Sequence, residues 1–395
     1  MESGSSPTPT SNQIGLALFM GSTALLMLGL QPILLGELVD KHVITMEGVG
    51  IVAMGEIVAL GVGVALGDAV LPLARYRLIA AMAALAVGTL DAATLQVTGD
   101  AAFSALRGAA GLAEGVLVWI ATSLIVRTDK PDRLAAIFMV VQTISQTGMA
   151  LALATCVVPQ GGWRGGFLVL AAATSVCALL ALGLPPGLRP LTPPTTEKTF
   201  SWSTTTLLPL ATAFLQMAAI GSLWAYLEPL GVRVGFGPEG AQAMVSEVLC
   251  LQVAGGMSAI WLVRRFDIAP TLGTGALVLA AVAGGIWLLP AGATLKFSLF
   301  CAVFGFSWLF LMPFHFGLAL RVDAKGRIAM LVPAAQLLGS AFGPLTASLV
   351  VSGDDATPVP LISLGFAACT VALVLFGRKR WTTTHGSCDA PRVAT

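Results

Sequence analysis

Of 395 residues, 56% are hydrophobic and only 10% charged, and the mean hydropathy is +0.88. A soluble domain carries about 25% charged residues, so lipid is the solvent for most of this chain. The net charge of +1 gives no reason to expect a nucleic-acid partner, and six cysteines scattered through apolar runs without metal-ligand spacing read as small hydrophobes.

In chain order, residues 1–13 are Ser/Pro/Thr-rich without a basic n-region and read as a disordered tail. A span needs about 20 apolar residues. Candidates follow at 14–39, 47–72, 78–97, 101–126, 134–157, 165–184, 206–230, 240–263, 268–290, 296–320, 328–350 and 358–377. Thr98-Gly-Asp100 is a tight turn, and Pro185-Pro186, Pro190 and Pro193-Pro194 mark a linker at 185–205. The fold class expected is therefore an all-α membrane protein of about twelve transmembrane helices. Its two pseudo-symmetric six-helix bundles are 14–184 and 206–377, followed by a tail at 378–395.

Alternate connections and the C-terminal tail hold sixteen of the 21 Lys and Arg residues. The other side has Lys41, Arg164, Arg233 and Lys296, and Arg107 lies inside a span. The positive-inside rule places both termini in the cytoplasm of a cell (inner or plasma) membrane protein. An internal repeat supports the division. Arg127-x-Asp129-x3-Arg133 recurs 194 positions later as Arg321-x-Asp323-x3-Arg327, with Gly111 mapping to Gly305 and Gln142 to Gln336.

Two six-helix halves joined by a linker resemble the major facilitator superfamily, whose halves are related by an axis along the membrane normal. In the fourth span, Arg107-x3-Gly111-x3-Gly115 is similar to that family's Arg-x3-Gly-x3-Gly motif. Trp163-Arg164-x2-Phe167 is similar to its Trp-Arg-x2-Phe turn, and Gly339-x3-Gly343-Pro344 to a small-residue helix motif. The signature after the second span survives only as Asp68 with Arg75 and Arg77, Val64 standing where that motif has Gly. The fifth span has Gln142, Gln146 and Gly148 where the family's antiporters carry a Gly-Pro motif. The resemblance implies a secondary transporter, with the first and seventh spans forming an outer gate.

Charge inside a span is costly and marks functional candidates. Glu114 either exchanges a proton as access alternates or hydrogen-bonds a neighbouring helix. Arg107, seven residues earlier, lies on the same face about 10 Å away, too far for a direct pair but suited to flank a solute. Asp91 and Arg107 are each eight residues from Gly99, so a helical hairpin puts them at similar depth, where pairing and solute contact both stand. Glu56 and Glu247 occupy near-equivalent repeat positions and read more readily as outer-leaflet residues reaching water than as cavity lining.

Gln31-Pro32 and Glu228-Pro229 end the first and seventh spans at matching depth, their prolines serving as hinges. The proton-coupling candidates are thus Glu114, Asp91, Glu56, Glu228 and Glu247. The solute-binding candidates are Arg107, Gln31, Gln142, Tyr226, Gln252, Gln336 and Trp308, the last being the repeat counterpart of Glu114. His315, near the end of the tenth span, reads as solvated, with a proton relay as the sharper alternative.

No phosphate-binding Gly-x4-Gly-Lys segment, HExxH, GxSxG or Cys/His cluster is present, so neither ATP drive, hydrolytic chemistry, a metal nor a cofactor is expected. The expectation is a monomeric, alternating-access secondary transporter with a small organic solute, protons and the bilayer as partners. Proton-coupled efflux of an amphipathic or anionic molecule comes first, and uptake of an organic anion bound by Arg107 second. A non-transporting receptor or scaffold is the alternative from another class.

Overall fold

The computed structural model describes residues 10–129, 131–189, 203–263, 265–323 and 327–383. Residues 1–9, most of the linker with Lys198, and the basic residues Lys130, Arg264, Lys325 and Arg392 lie outside the described residues.

The chain forms α1 (Ser11–Ala24), α2 (Leu26–Asp40), α3 (Met46–Val70), α4 (Tyr76–Ala93), α5 (Asp100–Ile125), α6 (Pro131–Ala152) and α7 (Val158–Leu180). The second half contributes α8 (Thr204–Trp224), α9 (Leu227–Val234), α10 (Pro238–Leu262), α11 (Ile268–Trp287), α12 (Thr294–Val322), α13 (Arg327–Ser348) and α14 (Val359–Thr383). Polar residues punctuate the apolar runs where the helices begin. Thr10 caps α1 in a reciprocal box with Gln13, Ser203 does the same for α8 with Thr206, and Thr45 caps α3. Thr45 is itself anchored by Asp100, whose carboxylate accepts from its backbone N–H at 2.8 Å and its hydroxyl at 2.6 Å.

Eleven runs among the described residues are long and apolar enough to cross a membrane. One of them, Arg133–Gly183, spans 51 residues. As a single helix it would reach about 76 Å, far beyond a hydrocarbon core of about 30 Å. A π-helical turn at Leu153–Val157 and Gly162 at φ 57° fold it back on itself, which makes twelve spans. Only glycine takes that backbone angle without strain. Beyond it Trp163 is buried against Phe167, and the Arg164 guanidinium stacks over the Trp163 ring.

One side of the bundle gathers the chain around the linker. Leu188 N–H bonds the Leu73 carbonyl, Arg77 Nε the Leu184 carbonyl, and Arg127 Nε the Arg189 carbonyl. Among the described residues no ion pair joins Asp68 to Arg75 or Arg77, and Arg77 bonds a backbone carbonyl instead. On the opposite, distal side, Gly99 N–H bonds the Val43 carbonyl and Gly292 N–H the Val234 carbonyl.

The largest buried apolar cluster joins the two halves and runs along the distal parts of their helices, with Leu34, Leu38 and Val49 against Tyr226, Leu230 and Val245. Toward the linker side the clusters separate. One around Tyr76, Ile120 and Cys177 belongs to the first half, and another around Leu208, Phe314 and Leu318 to the second. Apolar burial thus ties the halves chiefly on the distal side, with Leu337 of α13 reaching the first-half cluster around Leu60 nearer mid-span.

The repeat seen in the sequence is a packing repeat. Gly111 of α5 lies against the Glu56 carbonyl of α3, so closely that a Cβ would overlap it, and Gly305 of α12 lies in the same way against the Val248 carbonyl of α10. Gly115 repeats the contact one turn on, against the Leu60 carbonyl. In the second half Gly339 and Gly343 of α13 sit on the Phe214 and Ala218 carbonyls of α8. The small residues let the backbones touch, a packing that lipid does not compete with.

Candidate functional site

Three helices converge on Arg107. α5 carries it about two turns from its distal start, α3 supplies Glu56, and α4 supplies Asp91. Arg107 Nη1 donates to Asp91 Oδ1 at 2.5 Å; Nη2 donates to Glu56 Oε1 at 2.5 Å and to Glu114 Oε1 at 3.0 Å. The guanidinium also lies 5.5 Å from the centre of the Phe167 ring. Arg107 is 0% exposed, and all three carboxylates are buried.

Several expectations change here. The pairing of Arg107 with Asp91 is present, but Arg107 and Glu114 are also directly bonded. Their 10 Å separation along the helix is bridged because both point to the same face and an extended arginine spans two turns. Glu56 does not reach water; it is a buried partner of Arg107. Its counterpart in the second half is Val248, and Glu247 lies one position away on the exposed face of α10.

One positive charge thus faces three carboxylates. Unless protons bind, two negative charges stay uncompensated in a low-dielectric interior, which is strongly disfavoured. Two atoms of the cluster, Arg107 Nε and Glu56 Oε2, are buried without a hydrogen bond. The cluster therefore has both the charge imbalance and the spare lone pairs to take up protons.

The second half holds a neutral counterpart. Gln336 of α13 donates through Nε2 to His315 Nδ1 at 3.0 Å, and His315 Nε2 lies 2.7 Å from Gln216 Oε1 of α8. An amide nitrogen only donates and an amide oxygen only accepts, so the imidazole between them is neutral with its proton on Nε2. His315 is 1% exposed, not solvated as its position near the span end suggests, because α8 and α13 pack over it and supply its two amide partners.

Trp224 bridges the halves, with an aromatic contact inside the second half and an amide contact inside the first beside it. Trp224 and Trp308 meet edge to face at 5.2 Å, and Trp224 Nε1 donates to the Leu28 carbonyl at 2.8 Å. That carbonyl is free because Pro32, four residues on, has no N–H to return. Gln146 of α6 donates to the Leu25 carbonyl at 2.7 Å, where α1 gives way to α2. Gln31 and Gln252 are buried with their amide nitrogens unpartnered, and Gln142 is half-buried on α6.

Tyr226, expected to contact solute, is buried and donates across the halves to the Met46 carbonyl at 3.2 Å. Gln31 and Glu228 are not at matching depth. Glu228 lies against Gly36, five residues beyond Gln31, because the break in the seventh span falls at Ala225–Tyr226 and leaves Pro229 in the first turn of α9. Pro344 follows Gly343 on α13 and presents its carbonyl to Gly50 of α3.

Sequence reasoning missed Glu37 and the neutral chain around His315. Glu37 stands near the end of α2, where a carboxylate reads as solvated; its neighbour Gly36, which leaves room for Glu228, was the available signal.

A crystal structure of a point mutant of the nucleoside transporter NupG matches with a TM-score of 0.70 at 14% identity, over 92% of this chain and 99% of that one. This is the major facilitator fold. A second NupG structure matches at 0.67 and 15% identity, covering 94% and 99%. A bacterial homologue of the human lysosomal transporter Spinster, inward-facing and occupied, matches at 0.64 and 14% identity, covering 98% and 100%. No protein-family model matches the sequence, and no curated protein matches it either. At these identities the likeness carries the major facilitator architecture and leaves the chemistry to this chain's own residues.

Proposed function

We propose that the protein is a proton-coupled secondary transporter working by alternating access. The observation that carries this reading is the buried set of three carboxylates around the single guanidinium of Arg107. Of the three, Glu56 sits on α3, the helix that also packs across the halves on α13 through Gly50 with Pro344 and Gly61 with Leu337. A proton gained or lost at the cluster therefore changes the charge on a helix that takes part in closure. With the linker side taken as cytoplasmic, the distal closure corresponds to a state open toward the cytoplasm.

The solute proposed is a small, uncharged amphipathic organic molecule, held by Trp224 and Trp308 with amides such as Gln31 and Gln252, and moved outward against entering protons. Both Nη groups of Arg107 are held by carboxylates of the first half, which favours an uncharged solute over an organic anion. The test uses protein in proteoliposomes under an imposed pH gradient, with solutes first found by thermal-shift screening. Proton-driven flux of a hit, lost in Glu114→Gln, supports the reading. Flux and proton movement unchanged in that variant would overturn the coupling role.

A further inference from the structure

A second pair of carboxylates sits on the distal seam, away from the Arg107 cluster. Glu228 of α9 lies against Gly36 of α2, and a Cβ at Gly36 would overlap its carboxylate. The next residue of α2, Glu37, is also buried and accepts from Gln242 Nε2 of α10 at 3.5 Å. Two acidic groups from opposite halves are thus enclosed together where the halves close. Glu228 is 4% exposed, and no hydrogen bond or cation reaches it among the described residues. Gln242 is 2% exposed, and its amide oxygen is buried without a partner. That oxygen can only accept, so a hydrogen carried on a neighbouring carboxyl group would satisfy it.

The surrounding charges offer no substitute for one. On α2 they are Asp40 and, beyond it, Lys41, which is more than half exposed and 3.9 Å from Glu37. On α9 itself Arg233 points away, donating to the Ile286 carbonyl. α10 presents the neutral Gln242, with Glu239 and Glu247 on exposed positions, and α12 has Lys296 exposed at its start. From the turn before Trp163 only Gly162 approaches Glu37, while Arg164 is stacked on Trp163.

We infer that Glu37 and Glu228 form a proton-binding latch, one proton on this pair holding the distal seam closed and its loss letting the halves part. The closed seam tolerates one shared negative charge beside Lys41. Two would repel across it in an apolar enclosure. When the seam opens, water solvates both carboxylates and the proton leaves to the distal side. This latch extends the proton-coupling reading but is separable from it, because it is read from conformation and not from flux.

The experiment places spin labels at exposed positions on the two distal rims, T98C and E239C, with the native cysteines other than buried Cys177 and Cys301 changed to serine. Distances are measured on the full chain in lipid nanodiscs from about pH 6 to about pH 9, the interval across which buried carboxylates titrate. The expected result is a closed-to-open ratio that falls with rising pH, with a limiting slope of about tenfold per pH unit for one proton. Glu228→Gln, and independently Glu37→Gln, should stay closed throughout, while Glu114→Gln keeps the pH response of the seam. A wild-type seam indifferent to pH, the wild-type pH response retained in both Gln variants, or closure driven by sodium at fixed pH would overturn the latch. If flux then still depends on Glu114, the coupling reading survives its failure.

Discussion

The two halves of the molecule share their backbone packing and differ in what they bury. In the first, Gly111 on the Glu56 carbonyl brings α5 against α3 and closes a cage around Arg107. In the second, Gly305 on the Val248 carbonyl brings α12 against α10, and the polar groups there are the uncharged chain Gln336–His315–Gln216. Equal scaffolds therefore carry unequal charge. The architecture asks only for small residues at the crossing, so the ion cluster is not what brings the helix pair together.

The comparison breaks most readily at Arg107. Arg107→Met leaves three buried carboxylates without a counter-charge and should cost about 3–5 kcal/mol, seen as a lowered unfolding midpoint of the purified protein. A stable variant would mean that the carboxylates already carry protons enough to need no guanidinium. Glu114→Gln keeps the shape and a hydrogen-bond acceptor for Arg107, so the fold should hold. Proton-driven flux should drop at least about tenfold, equivalent to 1.4 kcal/mol, the cost of losing one coupled protonation.

His315→Ala tests the neutral half. It strands Gln336 and Gln216 and should destabilise by about 1–3 kcal/mol while the pH profile of transport keeps its shape. A shifted profile would give the second half a share in proton handling. The smallest effect is expected from Trp224→Phe, which removes one hydrogen bond worth about 1 kcal/mol across the halves. Labelling of a distal cysteine by a water-soluble thiol reagent should then rise about fivefold, from the loosened closure.

The spans and the repeat were legible because apolar length and small-residue spacing act locally along the chain. Gly111 and Gly305 announced their crossings before any partner was known. The partners themselves were less legible. Reading Arg107 as a solute ligand followed from its distance to Glu114 along the axis, whereas the bond depends on side-chain reach and on a third helix bringing Glu56. Glu228 was visible as an acid beside a proline, but its neighbour across the seam was not, because the helix break at Ala225–Tyr226 shifts the register by more than a turn. Depth in a broken helix cannot be counted from sequence as it can in a straight one.

The carbonyl that Pro32 leaves free at Leu28 has one further consequence. In the closed molecule the Trp224 indole satisfies it. Parting the halves removes that donor, and no N–H of its own helix can replace it. The opened seam must therefore admit water to this depth, and a dry intermediate would strand the carbonyl. Hydration and separation are thereby tied into one step, so water reaching Leu28 would mark the transition as sharply as any movement of the helices.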